Sequence, residues 1–321
     1  MISGRSQRVL ITGLASPVGR RLAQRLELDP RVEKVVGIDT APPRQRLERT
    51  EFVRVAAEPQ LMAPIIRAAR IDTVVETRLP RAETGLAPTA SLITALEAAG
   101  SPPSKLVFKS SAHYYGYGPG APAFLTEDAA SSPEERGVAQ QVAEAEAAIR
   151  AFAASHPSAT VTIVRFAEEV GAEAGGAHMR LLGLPAIPTI LGFDPRWQLV
   201  EEHDVIGALA HAVDQDLPGT YNVAADGVLA LSEIAQLLQK PVLPVVPPFG
   251  VGVALRALRR AGLPAPVELL GALRFGRGLD NRRFKATGFP YRYTTREAII
   301  RLGDHHRRRP VAALQGTLQD Y

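Results

Sequence analysis

The chain has no cysteine. Disulfide frameworks, thiolate zinc centres and cysteine nucleophiles are excluded together, and the absence suits a reducing compartment, so a cytoplasmic location is expected. Long hydrophobic runs are also missing: the opening text MISGRSQRVLITG soon meets glycine and proline and is too short for a signal-peptide core or a membrane span. Neither internal repeats nor low-complexity tracts occur. A strong charge of one sign is lacking too, the net being +4. Basic residues gather near the end in DHHRRRPVAALQ, but no aromatic–basic alternation or nucleic-acid motif accompanies them, so no nucleic-acid partner is expected.

What is present is the composition of an ordered globular protein, with 46% hydrophobic and 22% charged residues in 321. That length implies one large α/β unit with an appended lobe. Apolar runs at 8–13, 34–39, 51–55, 72–77, 105–111 and 161–171 read as strands, and helical stretches at 18–28, 59–70 and 89–100 fall between them. This alternation predicts a doubly wound parallel sheet. After residue 172 the text becomes rich in glycine and proline, until GTYNVAA (219–225) predicts a return to the sheet. The stretch after Pro248 allows a helix with Arg256, Arg259 and Arg260 on one side and Val251, Leu255 and Leu258 on another. Packing on the second lobe is its expected role; contact with a membrane surface through 250–262 and the basic tail is the alternative.

RVLITGLASPVGRRLAQRL is a strand, a glycine-bearing turn and a helix, and VVGID follows. Gly13 permits a tight turn, Gly19 lets helix and strand approach, and the helix N-terminus offers amides to a pyrophosphate. Asp39 at the end of the next strand suits ribose hydroxyls and opposes a 2′-phosphate, so NAD is favoured over NADP. The cofactor contacts this geometry predicts are Gly13, Gly19 and Asp39.

With TGLASPVG, KSSAHYYG, LTEDA, VRFAEEVG, EEHDVIGAL, GTYNVAADG and LDNRRFKATGFPYRYTTREAI in that order, the chain resembles the extended short-chain dehydrogenases/reductases, specifically their nucleotide-sugar epimerase/dehydratase branch, and in wording the actinobacterial UDP-glucose 4-epimerase-like proteins. The resemblance implies a Rossmann-type NAD-binding domain over 1–172 with a return segment at about 196–226. It also implies a smaller C-terminal α/β substrate lobe from 173–195 and 227–321, a nucleotide-sugar ligand, and a homodimer built on helices near 86–99 and 133–155.

The family's catalysis rests on a Tyr that exchanges the hydroxyl proton, a Lys four residues later, and a supporting Ser. Ser111 matches the Ser, whereas Arg136 and Gln140 stand at the positions of the Tyr and Lys. Arginine stays protonated and cannot act as a base, and glutamine has no charge with which to lower a neighbour's pKa. His113, Tyr114, Tyr115 and Tyr117 are the residues nearby able to exchange a proton, His113 being the candidate alternative. The cofactor turn departs as well: Ser16 replaces the middle Gly, Pro17 has no N–H, and ETRL with Glu76 and Arg78 stands where the family has HLAA. The resemblance adds Ser16, Val18, Arg78 and Ser110 to the expected cofactor contacts, Arg78 either compensating at the pyrophosphate or filling its pocket. Arg274, Arg277, Arg282 and Arg283 are either a diphosphate clamp or plain surface charge. His305 and His306 lack carboxylates at ligand spacing, and no metal site is expected.

These readings lead to an NAD-binding protein that has lost ordinary Tyr/Lys catalysis and serves as a sensor, scaffold or partner subunit. The alternative is an active oxidoreductase or epimerase on a nucleotide sugar with another proton carrier.

Overall fold

Val9, Leu10 and Ile11 are all fully buried although they alternate in direction, the mark of a parallel strand covered by helices on both faces. Their strand is β1 (Gln7–Thr12). The computed structural model describes residues 6–55, 58–79, 87–100, 102–131, 137–244 and 267–308. Chain order continues with α1 (Pro17–Glu27), β2 (Val32–Asp39), β3 (Thr50–Arg54), α2 (Pro59–Ala68), β4 (Thr73–Glu76), α3 (Ala87–Ala98), β5 (Lys105–Ser111), α4 (Val138–Ser155) and β6 (Thr160–Phe166). Then come β7 (Glu168–Val170), α5 (Ala177–Gly183), β8 (Ile187–Thr189), β9 (Arg196–Trp197), β10 (Leu199–Glu201), α6 (Glu202–Asp214) and β11 (Gly219–Val223).

Seven strands form one parallel sheet in the order β11-β6-β5-β4-β1-β2-β3. Val9 and Ile11 pack on the face that includes Leu22 of α1 and Leu209 of α6, while Leu10 packs opposite, with Met62 of α2, Leu92 of α3 and Ile149 of α4. The strand order reverses at β1, so a crevice opens between the C-terminal ends of β1 and β4. The doubly wound α/β fold expected from the alternation is therefore present.

The single sixth strand expected over 161–171 is two. β6 ends at Phe166, and β7 leaves the main sheet to pair with β10. The two pieces are separated by a single residue and so read as one run, but β7 pairs with β10 rather than with the strands that flank β6, and pairing rather than composition decides where a strand ends. Val170 and Leu199 join Leu182 of α5, Trp197 of β9 and Ile299 of the helix Thr295–Arg308 in a third hydrophobic cluster, separate from the two on the faces of the sheet.

Among the described residues no helix is long and apolar enough to cross a membrane. The helix expected at 250–262 and the end of the basic tail lie outside the described residues.

Candidate functional site

The turn after β1 is shaped by two glycines. Gly13 adopts φ +73, a left-handed conformation that favours glycine, and a Cβ on Gly19 would sit 2.2 Å from the carbonyl oxygen of Gly13. Helix α1 is capped by Ser16, whose Oγ accepts the Gly19 N–H at 3.0 Å, with Pro17 in the first turn. Val18 packs against the core beneath. At the tip of β2 the Asp39 carboxylate accepts the N–H of Ala15 at 2.8 Å and of Thr40 at 2.7 Å, which ties the acid to the turn it faces. The glycine cradle and the acid at the strand tip fit a dinucleotide, the ribose having to share Asp39 with these amides.

Across the crevice, Glu76 ends β4 with its side chain wholly buried. Its Oε1 accepts the Thr12 hydroxyl at 2.5 Å and the Arg78 N–H at 2.8 Å. The Arg78 guanidinium grips the same carboxylate, Nε to Oε1 at 2.9 Å and Nη2 to Oε2 at 2.7 Å. Burial works against the charge on Arg78, yet Glu76 outweighs it and holds the guanidinium above its ordinary pKa.

Ser111 and His113 stand at the other end of the crevice. Ser111 Oγ accepts the His113 N–H at 3.2 Å and caps the short turn Ala112–Tyr115. The His113 ring faces Glu168, Nε2 to Oε1 at 3.6 Å, and the same carboxylate collects further partners from distant parts of the chain. His178 Nδ1 lies 3.0 Å from Oε2, Arg277 Nη2 donates to Oε1 at 2.8 Å, and the Tyr117 hydroxyl donates at 3.2 Å. Burial pushes the Glu168 pKa up, but the charges of His178, His113 and Arg277 overcome it and hold the acid well below the usual carboxylate range. Tyr117, Glu168, His178 and Arg277 line a small cleft with Ala112, Ala167, Trp197, Gln198 and Leu279.

The remaining expected residues go elsewhere. Ser110 points to the opposite side of β5, where its hydroxyl is buried against Glu146 at 2.5 Å, so it offers nothing to a cofactor. Neighbouring side chains on a strand face opposite ways, and only one of the Ser110–Ser111 pair can meet the crevice. Gln140 is exposed and donates to Glu144 on its own helix at 2.8 Å. Arg136 lies outside the described residues. Tyr115 is buried, donating to Asn222 at 2.7 Å and accepting from Arg165 at 2.7 Å, and desolvation raises its pKa, so it is structural. The four arginines considered as a clamp separate: Arg277 enters the cleft with its side chain 5% exposed, Arg282 pairs with Asp280 at the surface, and Arg274 and Arg283 lie over Phe193 and Tyr221.

Neither Glu168 nor His178 is singled out by the sequence: Glu168 lies inside the VRFAEEVG motif with no role assigned to it, and His178 belongs to no motif. A grouping of Glu201, Glu202 and His203 holds ligand-type atoms within 4.8 Å of one another. Its members already serve the fold, Glu201 accepting the His203 N–H at 2.6 Å and Glu202 pairing with Arg21 at 2.7 Å.

The glycine turn, the acid at the β2 tip and the capping Ser111 lie along one crevice, and residues 9–224 match the model of the NAD dependent epimerase/dehydratase family. The chain belongs to that family. Uncharacterised proteins of Mycobacterium tuberculosis and Mycobacterium bovis are each 34% identical over 310 residues, covering 91% of this chain and 82% of theirs. Two solved structures share the family fold at low identity. The NAD complex of dTDP-glucose 4,6-dehydratase from Bacillus anthracis has TM-score 0.72 at 14% identity, covering 94% of this chain and 96% of that one. UDP-glucose 4-epimerase from Stenotrophomonas maltophila, with bound NAD and formylated UDP-arabinopyranose, has TM-score 0.72 at 17% identity, covering 97% and 99%.

Proposed function

We propose that this epimerase/dehydratase-family chain binds NAD across the β1–β4 crevice and a nucleotide-sugar ligand at the cleft between its lobes, without the Tyr/Lys relay. It then serves as a sensor, scaffold or partner subunit. The observation that carries this reading is Gln140, an uncharged amide turned to solvent and spent on Glu144. It neither lowers a phenol's pKa nor holds a ribose. Arginine at 136 keeps its proton at any working pH.

NAD, when bound, supplies a nicotinamide able to exchange a hydride. The chain's own part is binding: Gly13 and Gly19 admit the diphosphate, Asp39 accepts ribose hydroxyls, and Ser111 stands at the far end of the crevice. Helices α3 and α4, side by side on one face, are the proposed dimer surface, and the cytoplasm is the proposed location, in keeping with the absence of cysteine.

The test is calorimetric titration with NAD, followed by incubation of the loaded protein with UDP-glucose and chromatography of the sugar. Binding without conversion is expected; turnover would sink the reading. One observation favours a second reading, an active oxidoreductase or epimerase with His113 as proton carrier: the His113 ring is oriented by Glu168 next to Ser111. Conversion of UDP-glucose that disappears in both Ser111→Ala and His113→Ala would establish it over the first.

A further inference from the structure

A dinucleotide crevice has to meet the charge of a diphosphate with donors, and this turn is short of them. The Ser16 N–H is spent on the Gly13 carbonyl at 3.1 Å, Pro17 has none, and the Gly19 N–H is taken by Ser16 Oγ at 3.0 Å. Arg20 N–H already closes the first helical bond to Ser16 O at 3.0 Å. Of the first-turn amides, only that of Val18 lacks an acceptor among the described residues.

A guanidinium stands at the same place. Arg78 lies two residues past the end of β4, and a Cβ on Gly13 would come within 2.8 Å of its Cγ, so its stem lies on the glycine of the turn. Glu76 takes Nε and Nη2, and Pro88 O also lies 3.4 Å from Nη2. Nη1 has no acceptor among the described residues. The fork-to-fork pairing sets the plane of the guanidinium, and Thr12 fixes Glu76 from the other side at 2.5 Å. Asp39 lies near enough to add to the field at Arg78.

We propose that Arg78 is the pyrophosphate-binding residue of this chain, its Nη1 taking over the donor role lost at Pro17 and Gly19. Glu76 is the positioning residue that holds the guanidinium over Gly13. This rests on the NAD-binding reading and adds a residue where the family has a small neutral segment. A guanidinium presents its donors in a fixed plane, so a lysine does not replace it.

The experiment measures the affinities of NAD, ADP-ribose and adenosine for the wild-type chain, Arg78→Lys and the double variant Glu76→Gln/Arg78→Ala. The double variant keeps the net charge of the pair and leaves no buried carboxylate unpaired. Loss of one charge-assisted hydrogen bond predicts NAD and ADP-ribose binding about ten- to a hundredfold weaker in both variants. Adenosine, which carries no phosphate, is expected to bind all three alike. Arg78→Lys preserves a cation against Glu76 and stays folded if the double variant does not. Wild-type binding of NAD with affinity unchanged or increased in the variants overturns the assignment alone, because Arg78 would then only fill the crevice. Absence of NAD binding by the wild-type chain overturns the cofactor reading and this assignment with it.

Discussion

Arg165 grips Glu146 with two arms, Nε to Oε1 at 2.9 Å and Nη2 to Oε2 at 2.7 Å, and both side chains are essentially removed from solvent. The pair joins β6 to α4, the helix that carries Gln140. Ser110 donates to Glu146 from β5, and the Arg165 guanidinium lies 3.4 Å from the centroid of the Tyr114 ring. Helix α4 is therefore held in place by a buried network that needs no chemistry at 136 or 140.

Removing one member of that network leaves the other charged and buried. Glu146→Ala is expected to lower folding stability by about 3–5 kcal/mol. Urea denaturation followed by circular dichroism measures it, and a loss below about 1 kcal/mol would show that water or Tyr115 compensates the guanidinium.

Glu168→Gln tests the charge collected in the cleft. The folded-state pKa of Glu168 lies below that of an unfolded glutamate, so its stabilisation is fully present above the unfolded value and is lost as pH falls through the folded one. The variant is expected to lose about 1.5–3 kcal/mol at pH 7, the worth of a hydrogen bond to a charged group. That deficit should shrink as pH drops below about 4.5, the ordinary carboxylate value. Parallel unfolding curves for the two proteins at pH 7 and at about pH 3, well below the ordinary carboxylate value, would show whether the gap narrows; a constant gap contradicts the ionised state.

Gly19→Ala places a methyl 2.2 Å from a backbone oxygen that cannot move without opening the turn. About 1–3 kcal/mol of destabilisation follows from overpacking. NAD affinity should fall as well, since the same turn faces the crevice. A variant with unaltered melting temperature and affinity would mean that α1 shifts freely on the sheet.

Asp39→Ala and Gln140→Ala form a contrasting pair. The first removes the acceptor proposed for the ribose hydroxyls and also the partner of the Ala15 N–H, and is expected to weaken NAD binding about tenfold or more. The second removes an exposed side chain bonded within its own helix and should leave affinity unchanged. Calorimetry with NAD distinguishes them, and equal losses would return Gln140 to the cofactor's surroundings.

Much of the nucleotide end was legible along the chain because its logic is local. Gly13, Ser16, Pro17 and Gly19 act within one turn, and Asp39 comes at the end of the next strand, so short spacing carried the reading. The direction of Ser110 was readable in principle from strand alternation, since Ser111 had already been assigned to the crevice. Whether Arg78 serves or fills the crevice could not be read, because the answer depends on Glu76 being buried and on Gly13 lying beneath the arginine stem.

The amino-acid sequence by itself determined the parallel α/β alternation, the glycine turn and the absence of a Tyr and Lys at 136 and 140, since periodicity and residue identity are properties of neighbouring positions. Only the tertiary structure decided that β7 leaves the sheet and that Gln140 faces solvent. It alone brings His113, Tyr117, His178 and Arg277 to the Glu168 carboxylate. Those outcomes depend on which surfaces the folded chain buries against one another, and no spacing along the chain encodes a contact between residues so far apart in it.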